Sequence, residues 1–282
     1  MNGFVNLIKP SGMSSAYAVT TVKRKFNMPC GHMGTLDPMA SGVLPVGIGQ
    51  ASRLFDYLLD KTKKYRATFI FGKEYDTLDV TGNVVNTCTH IPKKEEILAV
   101  LPKFLGQIDQ IPPKYSAKCV NGKRGYQLAR KGVDFELQPK KVEILALELV
   151  EQLSENEFVF NIECGGGTYI RSLARDIAYQ CNTLGSMKSL VRRSSGIFDI
   201  EKGVSVEEFI NSTEPEKFLI SSDTVVDFPK IVLDEKRATK ILNGVFEKTN
   251  VSDGIYRVYN CSNFWGIGVA EKGVLRIKTY VR

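Results

Sequence analysis

GHMGTLDPMASGVLPVG, residues 31–47, is the most distinctive stretch of this sequence. It sets one carboxylate, Asp37, and one of only two histidines, His32, among glycines and prolines that interrupt regular helices and central strands. This composition predicts a shaped loop. Asp37 precedes a proline, so it fits an ordinary turn residue as well as a reactive carboxylate that the flanking glycines leave open to a large partner. His32 fits a polar loop residue or a ligand contact.

The segment before this loop carries a strand signal and a helix signal. An apolar run predicts a short strand over 5–8, and the serines at 14 and 15 are suited to cap a helix over 16–26.

The clearest strand signal follows the loop, over 62–72, where residues alternate between two faces. Tyr65 lies near its start, where half-buried packing is the ordinary role of a tyrosine. A turn over 75–82, a strand over 83–86 and a helix from Pro92 are predicted next.

A glycine run, Gly165-Gly166-Gly167-Thr168, precedes a helix predicted over 169–182, with Gly185 as its stop. The run has neither the Lys-Ser/Thr of a P-loop nor the G-x-G-x-x-G spacing, so we reject a nucleotide motif. Arg171 falls in the first turn, where a cation is better placed if a carboxylate or phosphate faces it. Strands are expected at 142–150, 158–164 and 197–200, with the stretch 190–196 left as a connection.

The positive charge is concentrated in one segment. Residues 114–141 hold eight basic residues against two acidic ones, which accounts for six of the net charge of +7. Prolines, glycines and tyrosines interleave with these cations, so the segment predicts an excursion from the core that is suited to RNA, although a solvated loop has the same composition.

Composition also limits the cellular setting and the cofactors. The six cysteines include no C-x-x-C pair, which favours reduced thiols, and two histidines are too few for an ordinary metal cage. We therefore expect no metal and no cofactor. Neither a signal peptide nor a membrane-spanning run is recognisable, so a cytoplasmic protein is expected.

The last part of the chain has its own pattern. A polar run over 211–216 marks a boundary zone, and a helix over 234–243 ended by Gly244 is followed by short strand signals to residue 281. This tail predicts a small β-rich module.

Taken together, several motifs resemble the TruB family, the bacterial tRNA pseudouridine synthases that modify position 55 in the T loop. The match runs from about residue 4 to 198. In chain order the motifs are Lys9-Pro10-x-Gly12-Met13-Ser14-Ser15, Gly31-His32-x-Gly34-Thr35-Leu36-Asp37-Pro38-x-Ala40-x-Gly42-Val43-Leu44-Pro45, Lys64-Tyr65, Asp76-Thr77-x-Asp79-x-x-Gly82, Gly167-Thr168-Tyr169-Ile170-Arg171-Ser172-Leu173-Ala174 and Leu190-x-Arg192. The chain departs from the family pattern at Met33, Tyr75, Gly165-Gly166 and Arg193.

The resemblance implies an α+β (mixed α/β) pseudouridine synthase fold with a long, mainly antiparallel central sheet and flanking helices. It divides the chain into a catalytic domain, 1–223, with an RNA-gripping insertion at about 112–141, and a PUA-like RNA-binding domain, 224–282.

The same resemblance assigns site residues. Asp37 would be the essential carboxylate, acting as nucleophile or as the base that abstracts a ribose proton. Arg171 would pair with Asp37, and Tyr65 would stack on the flipped uracil. The remaining assignments are His32 to the RNA, Tyr169 and Leu190 to the uracil pocket, and Lys9 to support of the Asp37 loop.

The implied partner is the T arm of tRNA, bound by a monomer. Two other functions stay open: a tRNA-binding or folding chaperone without chemistry, and a guide-RNA-dependent pseudouridylase subunit. The first predicts that Asp37 is dispensable, and activity on bare tRNA excludes the second.

Overall fold

The computed structural model describes residues 2–58, 61–116, 119–120, 122–130, 132–242 and 247–281. Two of the basic residues counted above, Lys118 and Lys131, and the predicted helix stop Gly244 lie outside this range.

The helices of the described residues are short. They are α1 Ser15–Phe26, α2 Lys94–Val100, α3 Gly125–Arg130, α4 Ile170–Gln180, α5 Val206–Asn211 and α6 Glu235–Leu242, with 3₁₀ segments at Gly49–Tyr57, Leu101–Phe104, Ile200–Lys202 and Pro215–Phe218. Helices α1, α2, α4 and α6 lie where apolar periodicity predicted helices, whereas α3 was not predicted.

The strands are more numerous than the alternation signals indicated. They are β1 Gly3–Lys9, β2 Cys30–His32, β3 Ser41–Ile48, β4 Lys63–Phe71, β5 Lys73–Tyr75, β6 Val84–Thr87, β7 Gly106–Gln110, β8 Cys119–Val120, β9 Lys123–Arg124, β10 Lys140–Ser154, β11 Glu157–Cys164, β12 Gly185–Ser195, β13 Phe198–Asp199, β14 Val204–Ser205, β15 Ile220–Ser221, β16 Lys230–Leu233, β17 Glu247–Lys248, β18 Gly254–Asn260, β19 Asn263–Glu271 and β20 Val274–Tyr280.

The chain divides into two compact units, one made of residues 1–38, 42–60 and 195–282 and the other of 39–41 and 61–194. In the first unit, β1 runs antiparallel to β3 and parallel to β14. Helix α1 begins after Ser14, whose side chain accepts from the Tyr17 N–H at 3.2 Å, so the predicted serine cap is confirmed.

The prediction of a continuous loop over 31–47 is wrong at both ends. Strand β2 pairs with β3, with His32 opposite Val46, and β3 pairs along its length with β1. Pro45 cannot donate to the ladder, but its carbonyl accepts from the Met33 N–H at 3.1 Å. Gly47 serves close packing, because a Cβ there would lie 2.8 Å from the Ser52 backbone nitrogen. Only residues 33–40 are irregular.

The last part of the first unit forms a five-stranded sheet in the order β16-β18-β19-β20-β17. Its apolar cluster includes Leu233, Ile241, Val258 and Leu275. The strands β16 and β17 were missed because each is too short to show alternation. The predicted domain boundary at residues 223 and 224 stays a prediction.

The second unit is built on the strand order β12-β4-β11-β10-β7, in which β4, β11, β10 and β7 run antiparallel. Helix α4 contacts β4, and its apolar stripe, which includes Ile170, Leu173 and Ile177, is nearly inaccessible to solvent. The predicted α+β class with its mainly antiparallel sheet is confirmed.

Two predictions around the end of α4 are wrong. The helix ends at Gln180, and Asn182 takes the left-handed conformation with φ of 54°, whereas Gly185 begins β12. A Cβ at Gly185 would lie 2.6 Å from the Ala178 Cβ, so this glycine serves close packing against α4. The stretch 190–196, expected to be a connection, continues β12 to Ser195.

Candidate active site

The residues on both sides of Asp37 are held by the start of the chain. The Ser15 hydroxyl donates to the Leu36 carbonyl at 2.8 Å and accepts from the Leu36 N–H at 2.9 Å. Ser15 and Leu36 are both buried, while Asp37 itself is half-buried. The reciprocal pair fixes the backbone immediately before Asp37.

Lys9 holds the residue after Asp37. Its side chain is fully buried, and its Nζ donates to the carbonyls of Pro10 at 2.8 Å, Met13 at 2.7 Å and Pro38 at 3.3 Å. The Pro38 carbonyl also accepts from the Gly12 N–H at 2.8 Å. A lysine is suited to this position because one ammonium group supplies three donors.

A Lys9→Met variant is expected to lose about 2 kcal/mol of unfolding free energy, because three backbone carbonyls lose the charged donor that the buried Lys9 supplies while the apolar stem is conserved. Urea unfolding measures the loss. Lys23→Met, an exposed position on α1, is the matched control and should change stability little. Equal stability of the two variants would show that the Lys9 ammonium does not hold the segment.

His32 and Met33 leave β2 toward Asp37. His32 is half-buried at the end of the strand. Met33, a departure from the family pattern, packs against an apolar cluster that includes Phe4 and Leu54. The departure therefore has a packing explanation.

Tyr65 is buried near the start of β4, with 7% of its surface exposed, opposite Ile162 of β11. A cavity of about 320 Å³ lies beside it, lined in addition by Lys64, Glu148, Arg193 and others. This volume falls at the lower end of small-ligand sites, roughly 300–1,000 Å³. Arg193, another departure from the family pattern, thus lies at a cavity next to Tyr65. Leu190, on β12, is buried with 7% of its surface exposed.

Arg171 is buried in the first turn of α4 and lies in a polar network. Its guanidinium donates to the Thr77 carbonyl at 2.8 Å and the Tyr115 carbonyl at 3.0 Å, and lies 3.5 Å from the Asp79 carboxylate. Asp79 is itself buried and accepts from the Thr81 N–H at 3.0 Å. The opposite charge expected near Arg171 is therefore present in this unit.

Asp79 lies in a family motif, but the sequence alone predicts no role for it. Its only signal was the turn composition of that motif, which also fits an ordinary surface turn. The ion pair expected between Asp37 and Arg171 stays a prediction.

Gln110 clamps the backbone of Tyr169, and the sequence reasoning missed it. Its side chain is almost fully buried, accepts from the Tyr169 N–H at 2.8 Å and donates to the Tyr169 carbonyl at 3.2 Å. Gln110 ends β7, directly before the segment predicted to grip RNA. An isolated glutamine before a proline-rich run carries no sequence signal for such a contact.

Helix α4 also contacts the chain at the start of the segment that is predicted to grip RNA. The Ser172 hydroxyl donates to the Ile111 carbonyl at 2.8 Å, and the Arg175 guanidinium donates to the same carbonyl at 3.1 Å. Arg175 pairs with Asp176, and although burial raises the pKa of the Asp176 carboxyl, this arginine opposes the shift. The first two turns of α4 therefore fix where the segment leaves the sheet.

A Gln110→Ala variant is expected to lower the unfolding free energy by about 1–3 kcal/mol, because it leaves the Tyr169 N–H and carbonyl without their amide partner. Thermal and urea unfolding measure this. Gln107→Ala, at an exposed position on the same strand, is the control. A loss no larger than that of Gln107→Ala would contradict the clamp.

The seven site residues predicted from the sequence fall into two groups. Lys9, His32 and Asp37 lie in the first unit, and the second unit holds Tyr65, Tyr169, Arg171 and Leu190. Within the part of the chain that the structure describes, no group of three or more His, Cys, Asp or Glu side chains is arranged to hold a metal ion. No described helix has the length and apolarity needed to cross a membrane.

Comparison with known sequences identifies relatives along nearly the whole chain. Residues 23–170 match the model of the TruB family pseudouridylate synthase N-terminal domain. The tRNA pseudouridine synthase B of Caldanaerobacter subterraneus subsp. tengcongensis is 39% identical over 284 residues, which cover 99% of this chain and 98% of that protein. That of Aquifex aeolicus is 39% identical over 283 residues, 99% of either chain.

Solved structures share the fold. A Cbf5-Nop10-Gar1 complex contains a chain with a TM-score of 0.71 and 22% identity, and the match covers 99% of this chain and 85% of that one. An H/ACA RNP bound to a substrate RNA containing 2′-deoxyuridine gives a TM-score of 0.70 at 20% identity, with the same coverage. At this identity the likeness concerns the fold alone.

Proposed function

The chain belongs to the TruB family of pseudouridylate synthases, and from that premise we propose that it isomerises the uridine at position 55, in the T loop of tRNA. Its activity is that of a tRNA pseudouridine synthase, an isomerase. The choice of the T-loop uridine and the roles of the individual residues are our proposal.

The reaction sets the requirements for the site. The bond between C1′ of the ribose and N1 of uracil breaks, the base turns, and C1′ joins C5. The proton lost from C5 is balanced by a proton gained at N1, so no atom is gained or lost and no oxidant is consumed. The protein must supply a carboxylate, a grip on the detached base and a pocket that excludes water.

Asp37 supplies the carboxylate in this proposal. It acts either as a nucleophile on the ribose or as the base that removes a ribose proton, and the two routes share its position. The support for this role is the anchoring of Leu36 by Ser15 and of Pro38 by Lys9. Holding the backbone on both sides of Asp37 positions this residue before the substrate arrives, and such positioning lowers the barrier of the reaction.

Tyr65 binds the uracil base, and Arg171 stabilises the charged form of the Asp37 carboxylate. Tyr65, stacked against the flipped uracil, would contribute on the order of 1–3 kcal/mol to binding. A guanidinium near a half-buried carboxylate favours its ionised form, which both routes require, and we assign this to Arg171. Its two backbone contacts and Asp79 hold the guanidinium in one orientation.

The remaining residues bind RNA. We propose that Tyr169 and Leu190 line the uracil pocket and that His32 contacts the RNA where the target nucleotide leaves the stack. Extruding the base costs a few kcal/mol, and an unstacked loop keeps that cost low.

The observation that carries the proposal is the anchoring of the two neighbours of Asp37, Leu36 by Ser15 and Pro38 by Lys9. The test is to incubate an unmodified tRNA transcript with the protein and map pseudouridine at each uridine by chemical labelling and primer extension. We expect one product, at position 55. Product at another position, or none, would contradict the proposed specificity.

A guide-free transcript also separates this function from that of a guide-RNA-dependent subunit, which would leave the transcript unmodified. We further propose that the protein acts as a monomer in the cytoplasm, where its tRNA substrate is found. Light scattering of the free protein tests the first of these statements, and cell fractionation tests the second.

A further inference from the structure

The glycine loop, defined here as residues 165–167, contains two glycines that the backbone does not require. Gly167 has φ of 89°, a region that favours glycine, whereas Gly165 and Gly166 have no positive φ. A Cβ would have its nearest neighbour at 3.7 Å at Gly165 and 3.8 Å at Gly166, ordinary contact distances. Neither conformation nor crowding explains why these positions lack side chains, and their backbone is left open.

Two lysines from separate strands converge on this open backbone. A Cβ built on Gly167 would lie 2.8 Å from the Lys140 Nζ, and one built on Gly166 would lie 3.8 Å from the Lys63 Nζ. Lys140 begins β10 and Lys63 begins β4, so the two residues are distant in sequence. The loop therefore has an ammonium group beside each of two successive residues.

The sheet explains this convergence. Lys63 of β4 lies opposite Cys164, the last residue of β11, and the Gly165 N–H donates to the Glu143 carbonyl of β10 at 2.8 Å. The first residues of β4 and β10 and the last residue of β11 therefore lie at the same end of three neighbouring strands. Burial raises the pKa of the Cys164 thiol, and the Lys63 charge opposes this shift, which is consistent with an ammonium group near the loop.

We propose that the glycine loop, Lys63 and Lys140 together seat one phosphodiester of the bound tRNA backbone. Open glycine backbone permits close approach of a phosphate, and lysine ammonium groups bind phosphate as compact point charges. The loop ends two residues before Tyr169, so the seated phosphate belongs to the strand near the reacting nucleotide. This inference rests on the proposed function, in which the partner is tRNA.

The test measures tRNA affinity against salt concentration in an Asp37→Asn background, so that no turnover occurs. Each phosphate contact contributes roughly 0.7–0.9 to the slope of log affinity against log salt. Because both lysines contact the same phosphodiester, Lys140→Ala and Lys63→Ala are each expected to weaken binding several-fold and to flatten the slope by up to about that amount. Lys94→Ala, which removes an exposed lysine from the start of α2, is the control for lost net charge and should keep the slope.

Substitutions at Gly166 test the loop independently of the lysines. Gly166→Ala fits the free protein, so its melting temperature should not fall, yet the added methyl group should weaken tRNA binding. Gly166→Asp adds a like charge and should weaken it further. The proposal is overturned if Lys140→Ala keeps the parent slope, if Lys94→Ala flattens it equally, or if Gly166→Asp binds tRNA as the parent does.

Failure of this inference and failure of the proposed function have different signatures. If the unmutated protein forms pseudouridine at position 55 while the lysine variants keep the salt slope of the Asp37→Asn background, only the phosphate seat is wrong. If no pseudouridine forms but the slope depends on Lys140 and Lys63, the seat stands and the proposed isomerisation is wrong.

Discussion

An Asp37→Asn variant is expected to bind tRNA nearly as the parent does and to form no pseudouridine. The amide is isosteric, so the anchoring of Leu36 and Pro38 should be unchanged, but it can neither attack C1′ nor accept a ribose proton. Loss of a residue that reacts directly with substrate costs about 10⁴-fold or more in kcat. Quantitative pseudouridine mapping after long incubation gives the activity, and fluorescence anisotropy with labelled tRNA gives the affinity.

Asp227→Asn is a suitable control because it removes an exposed carboxylate from the same unit. It should retain parent activity. If Asp37→Asn turned over at a rate comparable to this control, the isomerisation would not use Asp37 as its reacting group. If neither the parent nor the variants formed pseudouridine while all of them bound tRNA, the chaperone alternative would gain support. A loss of tRNA binding together with activity would instead identify Asp37 as an RNA contact or a structural residue.

Elements that depend on nearby residues were predictable from the sequence. Strand β4 shows clear alternation, and α1 carries its serine cap and a regular apolar stripe. The position of Tyr65 near the start of β4 follows from the same alternation. In these cases the structure is set by interactions within about ten residues along the chain, which a single sequence displays.

Elements that depend on distant pairing were not predictable. Strand β3 contains Gly42, Pro45 and Gly47, which disfavour a central strand locally, yet β1 and β2 pair with it from both sides. The burial gained by β3, whose residues 42–48 are all buried, outweighs the weak local preference. The clamp of Gln110 on Tyr169 joins residues 59 positions apart, and no local pattern records it.

The candidate site shows the same division. Family motifs predicted Asp37, Tyr65 and Arg171 as single site residues, but the network around Arg171 is a tertiary property. Thr77 and Tyr115 contribute backbone carbonyls, which any residue type supplies, so their identities carry no signal. Asp79 contributes a side chain, and its low exposure, 4%, is what distinguishes it from an ordinary turn residue.

Asp79→Asn should therefore affect both stability and catalysis. Removing one partner of a buried ion pair costs about 3–5 kcal/mol, and the two carbonyls that also hold the guanidinium place the expected loss near 3 kcal/mol. If Asp79 positions Arg171 for the reaction, kcat should fall by up to about 10²-fold, the cost of a displacement of about 1 Å, while KM for tRNA changes little. Urea unfolding and single-turnover kinetics measure the two effects.

Asp76→Asn is the matched control, since Asp76 lies in the same turn and accepts from the Asn83 N–H at 2.9 Å. It should cost about 1 kcal/mol of stability and leave kcat unchanged. A stability loss in Asp79→Asn with parent kcat would show that the carboxylate serves only the fold. A loss of kcat that is restored at low temperature, where the variant is fully folded, would lead to the same conclusion. Only a lowered kcat in fully folded protein identifies Asp79 as a positioning residue for Arg171.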